Sequence, residues 1–293
     1  MKKEIVVAAF LAALAPSVAR AQAEAVDLFR LGAQELASGF VDKAIESFEK
    51  GVQLKPDARE GWYNLGVAYG RKKLYAKEVT AYEEAIKIDP NYANAHHNLG
   101  LALTDLGHKD KAVESLRTAV RLDANAPDAW NNLGVILLEK ADTAAAADAF
   151  MKAAAAGPSC AECRLNLGIA LLRQAEKETS SERRAPVLRN ALQANADALA
   201  ADPRFHRAAY NKGVIQHRLG DTAGEVAAYR EALAIKPDYS AAQYNLAAAL
   251  SASDDKAGAI KAWEDYIRIA GTDTSERGFV DNARKELTRL RGL

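Results

Sequence analysis

The stretch WYNLGVAYGRKKLYAKEVTAYEEAIKIDPNY, residues 62–92, carries two helical patterns with a turn between them. Apolar side chains recur at spacings of three and four positions, first at Trp62, Leu65, Val67, Tyr69 and Leu74, then at Val79, Tyr82, Ala85, Ile86 and Ile88. Such spacing places one apolar stripe along each helix. Gly66 keeps side-chain bulk away from the point where the helices would cross, and Pro90 prevents the second helix from continuing. The stretch therefore predicts a helical hairpin.

The same hairpin pattern recurs along the chain at a fixed interval. Its first marker is a glycine, which returns at equal steps as Gly32, Gly66, Gly100, Gly134 and Gly168. The next counterpart, Gly213, follows after a longer gap, and Ala247 follows at the original interval. A proline stands at one constant distance after several of these glycines, at Pro56, Pro90, Pro158 and Pro237. Two interlocked markers over most of the chain indicate a repeat array.

Residues 62–92 resemble the tetratricopeptide repeat family, as do AHHNLGLALTDLGHKDKAVESLRTAVRLD at 95–123 and AWNNLGVILLEK at 129–140. The resemblance implies an all-α fold, a right-handed superhelix of about seven helix-turn-helix repeats over residues 24–273. We place the repeats at 25–58, 59–92, 93–126, 127–160, 161–205, 206–239 and 240–273. Three positions depart from the family pattern: Lys212 replaces leucine before Gly213, Asn195 stands where a bulky apolar residue is usual, and Tyr266 replaces a small one.

The fifth repeat, 161–205, is longer than the others because it contains the charged segment RQAEKETSSERRAP. We expect most of this insertion to lengthen the first helix or the following loop, with Pro186 in the first turn of the second helix. It is read as a solvated spur, with a basic contact at Arg183, Arg184 and Arg189 as the alternative.

Residues 274–293 are expected to form a capping helix that begins at Ser275 as N-cap and carries Phe279, Val280 and Leu287 on its apolar face.

Residues 1–23 differ from the rest of the chain. Lys2 and Lys3 precede an apolar run over residues 5–15, and Ala21-Gln22-Ala23 forms a small-x-small site. These features predict a secretory signal peptide over residues 1–23, cleaved after Ala23, and the run is too short for a membrane anchor. Export points to an oxidising space, most simply a bacterial periplasm.

The charges of the chain balance, with 39 basic and 39 acidic residues, which gives no reason to expect nucleic acid as a partner.

In the family, the first helices of successive repeats line a concave face that commonly binds an extended peptide or a partner helix. Two positions before each glycine or its counterpart lies an asparagine in six of seven repeats, namely Asn64, Asn98, Asn132, Asn166, Asn211 and Asn245. Amides both donate and accept, so this ladder suits the main chain of a bound strand. The neighbouring position supplies Tyr63, His97, Tyr210 and Tyr244. The alternative is that these asparagines bond one helix to the next, because asparagine belongs to the family pattern at this position.

The two cysteines, Cys160 and Cys163, form a Cys-x-x-Cys pair within GPSCAECRLNLG. Haem attachment needs histidine where Arg164 stands, and zinc needs further soft ligands. A redox dithiol stays open because Cys163 falls in the first turn of a helix, although no thioredoxin-like pattern surrounds the pair. We favour a disulfide that fastens the joint between two repeats.

No catalytic motif, cofactor site or metal-binding group is predicted, since the glycines belong to the repeat and the five histidines do not assemble. The favoured function is a non-enzymatic scaffold or adaptor in an exported space, binding another protein or a peptide. The alternatives are a thiol-redox protein using Cys160 and Cys163, and a polysaccharide-binding solenoid. The mature chain has no predicted membrane span, and its oligomeric state is left open.

Overall fold

The computed structural model describes the backbone of residues 2–253, 255–271 and 273–292, and the side chains of this part of the chain from residue 19 onward. The described residues form fifteen α-helices and one short 3-10 helix, without a strand, which confirms the predicted all-α repeat fold. Most of the predicted signal peptide lies outside the residues whose side chains are described. No helix of the described chain has the length and apolarity that crossing a membrane requires.

The chain divides into two compact units, residues 1–125 and 126–293. Unit 1 contains three consecutive helical hairpins. Its helices are α1 (Lys2–Ala37), α2 (Val41–Leu54), α3 (Arg59–Arg71), α4 (Tyr75–Ile88), α5 (Ala93–Asp105) and α6 (Lys109–Leu122). Each first helix packs against its own second helix, and each second helix packs against the first helix of the next hairpin.

Unit 2 contains four further hairpins and a final helix. Its helices are α7 (Pro127–Glu139), α8 (Thr143–Ala156), α9 (Ala161–Lys177), α10 (Ser181–Ala201), α11 (His206–Leu219), α12 (Thr222–Ile235), α13 (Ser240–Ala252), α14 (Lys256–Ala270) and α15 (Arg277–Arg291). The packing follows the same alternation as in unit 1, and α15 covers α14. Val280, Ala283, Leu287 and Leu290 are buried there in one core with Trp263 and Tyr266.

The repeated glycine allows close contact between the two helices of a hairpin. At Gly66 an added Cβ would lie 2.5 Å from the ring of Tyr82, and at Gly134 it would lie 2.6 Å from that of Phe150. Tyr82 and Phe150 are nearly or fully buried, so the ring cannot move aside without leaving the core. Leu116 fills the same place opposite Gly100. This contact explains why glycine persists inside a helix despite its cost of about 1 kcal/mol.

The long fifth hairpin corrects our reading of the insertion. Helix α9 has 17 residues, against 13 in α7, and α10 has 21, against 14 in α8. The extra residues therefore extend both helices, four in the first and seven in the second. Pro186 is not in the first turn of α10, because the helix already begins at Ser181.

The basic residues of the insertion partly fold back onto their own hairpin. Arg184 donates to the carbonyl oxygen of Glu178 from both Nε and Nη2, at 3.1 and 2.7 Å. The Arg183 guanidinium lies 3.3 Å from the Glu178 carboxylate. Both contacts place positive charge at the carboxyl end of α9, where the helix dipole favours it.

Two details of the C-terminal helix also differ from expectation. Ser275 is not the N-cap of α15; it lies in the 3-10 helix Thr274–Glu276 and donates from backbone and hydroxyl to the Asp273 carboxylate. Phe279 is 55% exposed, because it lies beside the buried stripe and packs edge-on against Tyr244.

Candidate functional site

The predicted site residues lie on the first helices of the hairpins and share one degree of burial. In unit 1, Tyr63 and Asn64 lie on α3, and His97 and Asn98 lie on α5. In unit 2 the residues are distributed over α7, α9, α11 and α13, as Asn132, Asn166, Tyr210, Asn211, Tyr244 and Asn245. All ten are half-buried, so each side chain has one part in the protein and another part at the surface.

At least three of the six asparagines bond the first helix of the preceding hairpin. Asn98 Nδ2 donates to the Tyr63 hydroxyl at 3.1 Å, and Asn245 Nδ2 donates to the Tyr210 hydroxyl at 3.0 Å. Asn166 Nδ2 donates in the same way to Asn131 Oδ1 at 3.0 Å. These asparagines thus link neighbouring first helices, as our alternative interpretation proposed. Each of the three amides uses one side-chain N–H for that hydrogen bond.

An apolar row runs beside the asparagines. The residue after each repeated glycine is apolar and is either exposed or half-buried, as Ala33, Val67 and Leu101 in unit 1 and Val135, Ile169, Val214 and Ala248 in unit 2. Each of these side chains keeps part of its surface outside the packed interior. The first helices of each unit therefore present apolar surface next to amide groups.

In unit 2 this face contains a groove of about 520 Å³ between α11, α12 and α13. Its lining combines small apolar side chains with polar groups at the edges, namely Tyr210, Val214, His217, Arg218, Gly220, Thr222, Glu225, Tyr229, Asn245, Ala248, Ala249 and Ala252. Of the predicted site residues, the groove brings together Tyr210 and Asn245. Asn211 and Tyr244 do not line it.

The groove also contains an acidic group that the sequence reasoning missed. Glu225 is 6% exposed on α12, and its Oε2 lies 3.0 Å from Nδ1 of His217 on α11. Arg218, next to His217, lies 3.4 Å from the Glu176 carboxylate. One end of the groove therefore holds both signs of charge, whereas Val214 and Ala248 form an uncharged floor.

Unit 1 carries a matching arrangement around Tyr82. The rings of Tyr63 and Tyr82 are 5.7 Å apart, as are those of Tyr210 and Tyr229 in unit 2. Glu78 occupies the place of Glu225, but Gly70 stands where His217 stands in unit 2. Burial raises the pKa of Glu78 to about 7, with a smaller contribution from the negative charge of Asp105, while a hydrogen bond from Tyr82 opposes both.

A signal for the two buried glutamates was present in the sequence. The second helix of each repeat carries a side chain that packs opposite the repeated glycine or its counterpart. In five of the repeats the residue four positions before that side chain is alanine, namely Ala44, Ala112, Ala146, Ala191 and Ala259. Only Glu78 and Glu225 break that row. Comparing the repeats position by position on the second helix, rather than on the first alone, would have identified them.

The histidines and cysteines were the other residues considered as metal ligands or reactive groups. Within the described residues no three of histidine, cysteine, aspartate and glutamate come together as metal ligands. His206 packs edge-on against Tyr239, and burial together with the charges of Lys236 and Arg207 lowers its pKa. Cys160 and Cys163 form a disulfide at the start of α9, with their Cα atoms 5.4 Å apart.

Solved structures similar to this chain include tetratricopeptide repeat proteins. The C-terminal part of a TPR repeat-containing protein from Cytophaga hutchinsonii matches with a TM-score of 0.70 at 16% identity, covering 88% of this chain and 99% of that one. A tetratricopeptide repeat protein from Parabacteroides merdae matches at 0.56 and 14% identity, covering 92% and 99%. YrrB, described as a TPR protein with an unusual peptide-binding site, matches at 0.58 and 20% identity, covering 68% and 96%.

Sequence models of the tetratricopeptide repeat match residues 60–92, 79–107, 97–159 and 188–240, together just over half of the chain. No curated protein sequence matches significantly. The three structures share 20% identity or less with this chain and therefore bear on the fold alone. The sequence matches add the family: the chain belongs to the tetratricopeptide repeat proteins.

Proposed function

We propose that this protein is a non-enzymatic adaptor that binds an extended segment of another protein along its first helices. The fold supports the general part of this proposal, because tetratricopeptide repeats are protein-interaction scaffolds. The observation that carries the specific part is the groove of unit 2, about 520 Å³ in volume, between α11, α12 and α13.

The chemistry of this groove suits a peptide better than a small metabolite or an ion. Its floor offers apolar contact at Val214, Ala248 and Ala252, which fits side chains of a bound segment. At its edges lie the side-chain amide of Asn245, the hydroxyl of Tyr210 and the hydrogen-bonded pair of Glu225 and His217. YrrB, whose fold this chain shares, is itself described as having a peptide-binding site.

The asparagine ladder then has two roles. First, the side-chain N–H groups of Asn98, Asn166 and Asn245 hydrogen-bond the preceding first helix. These bonds order the surface formed by the first helices before any partner binds. A face that is already ordered loses little conformational entropy on binding, which improves affinity. The oxygen atoms of the ladder amides are the acceptors that we propose for the main chain of the partner.

The test is a pull-down from the exported fraction with the wild-type protein and an Ala248→Arg variant. Ala248 is exposed on the groove floor, so arginine blocks the groove without opening the core. We expect the variant to lose the partner proteins that the wild type retains, identified by mass spectrometry.

The matched control is Ala227→Arg, an exposed alanine on α12 outside the groove lining. It adds the same charge to the same unit and should retain the partners. If Ala248→Arg retains them as well, the binding site lies elsewhere on the protein.

We also propose that the protein is exported and loses residues 1–23. The first fully buried side chain of the described chain is Ala25, so cleavage after Ala23 removes little of the described packing. N-terminal sequencing of the protein from the exported fraction should begin at Glu24. A protein found only in the cell interior, with residues 1–23 intact, would contradict this proposal.

A further inference from the structure

The disulfide at the start of α9 joins two sulfurs in different surroundings. Cys163 is fully buried, whereas Cys160, the residue just before the helix, is partly exposed. Cys160 is therefore the residue of the pair that a thiol from solution can approach, and Cys163 is not. This asymmetry fixes which sulfur an incoming group attacks.

The sulfur of Cys160 occupies the position that carboxylates occupy on other helices. Helices α8, α12 and α14 begin after Asp142, Asp221 and Asp255, whose side chains each accept a backbone N–H of the first turn. At α9 the acceptor is Cys160 Sγ, which receives the N–H of Cys163 at 3.1 Å. A negative charge at this position is stabilised by the helix dipole and the N–H groups of the first turn.

Among the first helices α3, α5, α7, α9, α11 and α13 of the described chain, α9 alone has an N-cap side chain that accepts such a bond. The other five begin after alanine, tyrosine or phenylalanine. The repeat itself therefore does not require a cap at this place, and the sulfur is an addition at the start of α9.

The charges around Cys160 also favour a thiolate. The Arg164 guanidinium donates to the Cys160 carbonyl oxygen at 3.1 Å, which brings positive charge close to the residue. The carboxylate of Glu162 lies 3.6 Å from Arg207, which offsets its charge. A cysteine in such surroundings ionises and reacts more readily than an ordinary one.

The bridge contributes little as a structural link. It joins residues only three positions apart, so its chain-entropy contribution is smaller than that of a bridge across distant segments. Its two ends belong to the same helix start, so it fixes no packing between helices and, contrary to our expectation from the sequence, does not fasten the joint between two repeats. A contribution to stability alone therefore does not account for the presence of these two cysteines.

We propose that Cys160 and Cys163 form an exchangeable disulfide that oxidises the thiols of a protein or peptide. A substrate thiolate attacks Cys160 Sγ, a new sulfur–sulfur bond forms, and the bond to Cys163 breaks with its electron pair on Cys163, which takes a proton from water. A second substrate thiolate then attacks the substrate sulfur of this mixed disulfide and releases Cys160 as a thiolate.

In this exchange two substrate thiolates give up two electrons and become one disulfide. The protein gains those two electrons, as a thiol at Cys163 and a thiolate at Cys160. The direction follows from the leaving group, because the helix start stabilises the thiolate of Cys160 and hence the reduced protein. A disulfide whose reduced form is stabilised is an oxidant. The two cysteines do not line the groove of unit 2, so this chemistry does not require a peptide bound there.

The first test measures alkylation of the reduced full-length protein by iodoacetamide at pH 6, with each site located by peptide mass spectrometry. Cys160 should react at least about tenfold faster than in the urea-unfolded chain, and Cys163 should be protected in the folded protein. Equal rates for Cys160 in folded and unfolded chain would overturn the proposal.

The second test traps the mixed disulfide with an excess of a one-cysteine peptide that has been oxidised to its disulfide-linked dimer, so that Cys160 takes up one peptide and the other leaves as a free thiol. A Cys163→Ala variant should accumulate the peptide on Cys160, because the resolving thiol is absent. The matched Cys160→Ser variant keeps an oxygen at the cap and should accumulate none. Equal trapping by both variants contradicts the assignment, and if circular dichroism shows either variant unfolded, the wild-type alkylation rates decide alone.

Discussion

Glu78 shows how a single repeat position can make stability depend on pH. The residue is 8% exposed, and its pKa is raised to about 7 from an ordinary value of 4.5. Above pH 4.5 the unfolded chain releases a proton that the folded chain still holds. The free energy of unfolding therefore falls as the pH rises from about 4.5 to about 7, and the loss is complete above that range.

We predict that Glu78→Gln reduces this fall, because an amide cannot ionise. Urea denaturation at pH 5 and pH 8 measures it, and the variant should show the smaller difference between the two conditions. Glu83→Gln, an exposed neighbour on the same helix, is the control and should behave like the wild type. An unchanged difference for Glu78→Gln would show that Glu78 is ionised in the folded protein at pH 5.

Asn195 is a second buried polar residue whose surroundings bear on stability. It is fully buried opposite Gly168; its Nδ2 donates to the Ala191 carbonyl oxygen at 2.8 Å, and its Oδ1 has no hydrogen-bond partner. Leu116 occupies the same place opposite Gly100. An apolar side chain therefore fits this position of the repeat.

We predict that Asn195→Leu raises the free energy of unfolding by about 1–2 kcal/mol, because it removes an unsatisfied buried acceptor and adds apolar burial. Chemical denaturation measures the change, with Asn190→Leu on the exposed face of α10 as control. A loss of stability in Asn195→Leu would mean that the site holds a polar partner such as buried water.

At the scale of helices, the asparagine links are what sequence reasoning left undecided. The spacing of Asn98 and Tyr63 was readable from the repeat, but their contact depends on the rotation of α5 relative to α3, which periodicity does not determine. The helices themselves were predictable, because glycine, proline and the apolar stripe all recur. The start of α10 was not, since its charged, exposed turns need no apolar stripe.

We predict that Asn98→Ala and Tyr63→Phe each lower the free energy of unfolding, with a coupling of about 1 kcal/mol in the double-mutant cycle. Asn64→Ala is the matched control, since the corresponding residue of the preceding first helix is Phe29, which has no polar group. Changes at Asn98 and Tyr63 that add without coupling would show that the amide and the hydroxyl do not bond in solution.

At the scale of the whole molecule, repeat arrays are stabilised by contacts between neighbours, so damage stays local. Phe150 is fully buried between α7 and α8, and its truncation to alanine should cost about 3–5 kcal/mol. We predict that hydrogen exchange of Phe150→Ala accelerates in α7 to α9.

Within the same unit, α13 to α15 should retain their protection, because their core around Trp263 and Tyr266 shares no residue with Phe150. Hydrogen–deuterium exchange with peptide mass spectrometry resolves these segments. Uniform acceleration throughout unit 2 would show that the unit unfolds as a single cooperative block.

The lengths of the long fifth hairpin obey an angular rule. Four added residues turn a helix by about 400°, and seven turn it by about 700°, so each arm returns within about 40° of its starting orientation. Ala175, within the extension of α9, and Leu188, directly after the extension of α10, are both buried in the same core. Arms that end close to a whole turn keep apolar surface on the side that faces the other arm, although the two arms grow by different numbers of residues.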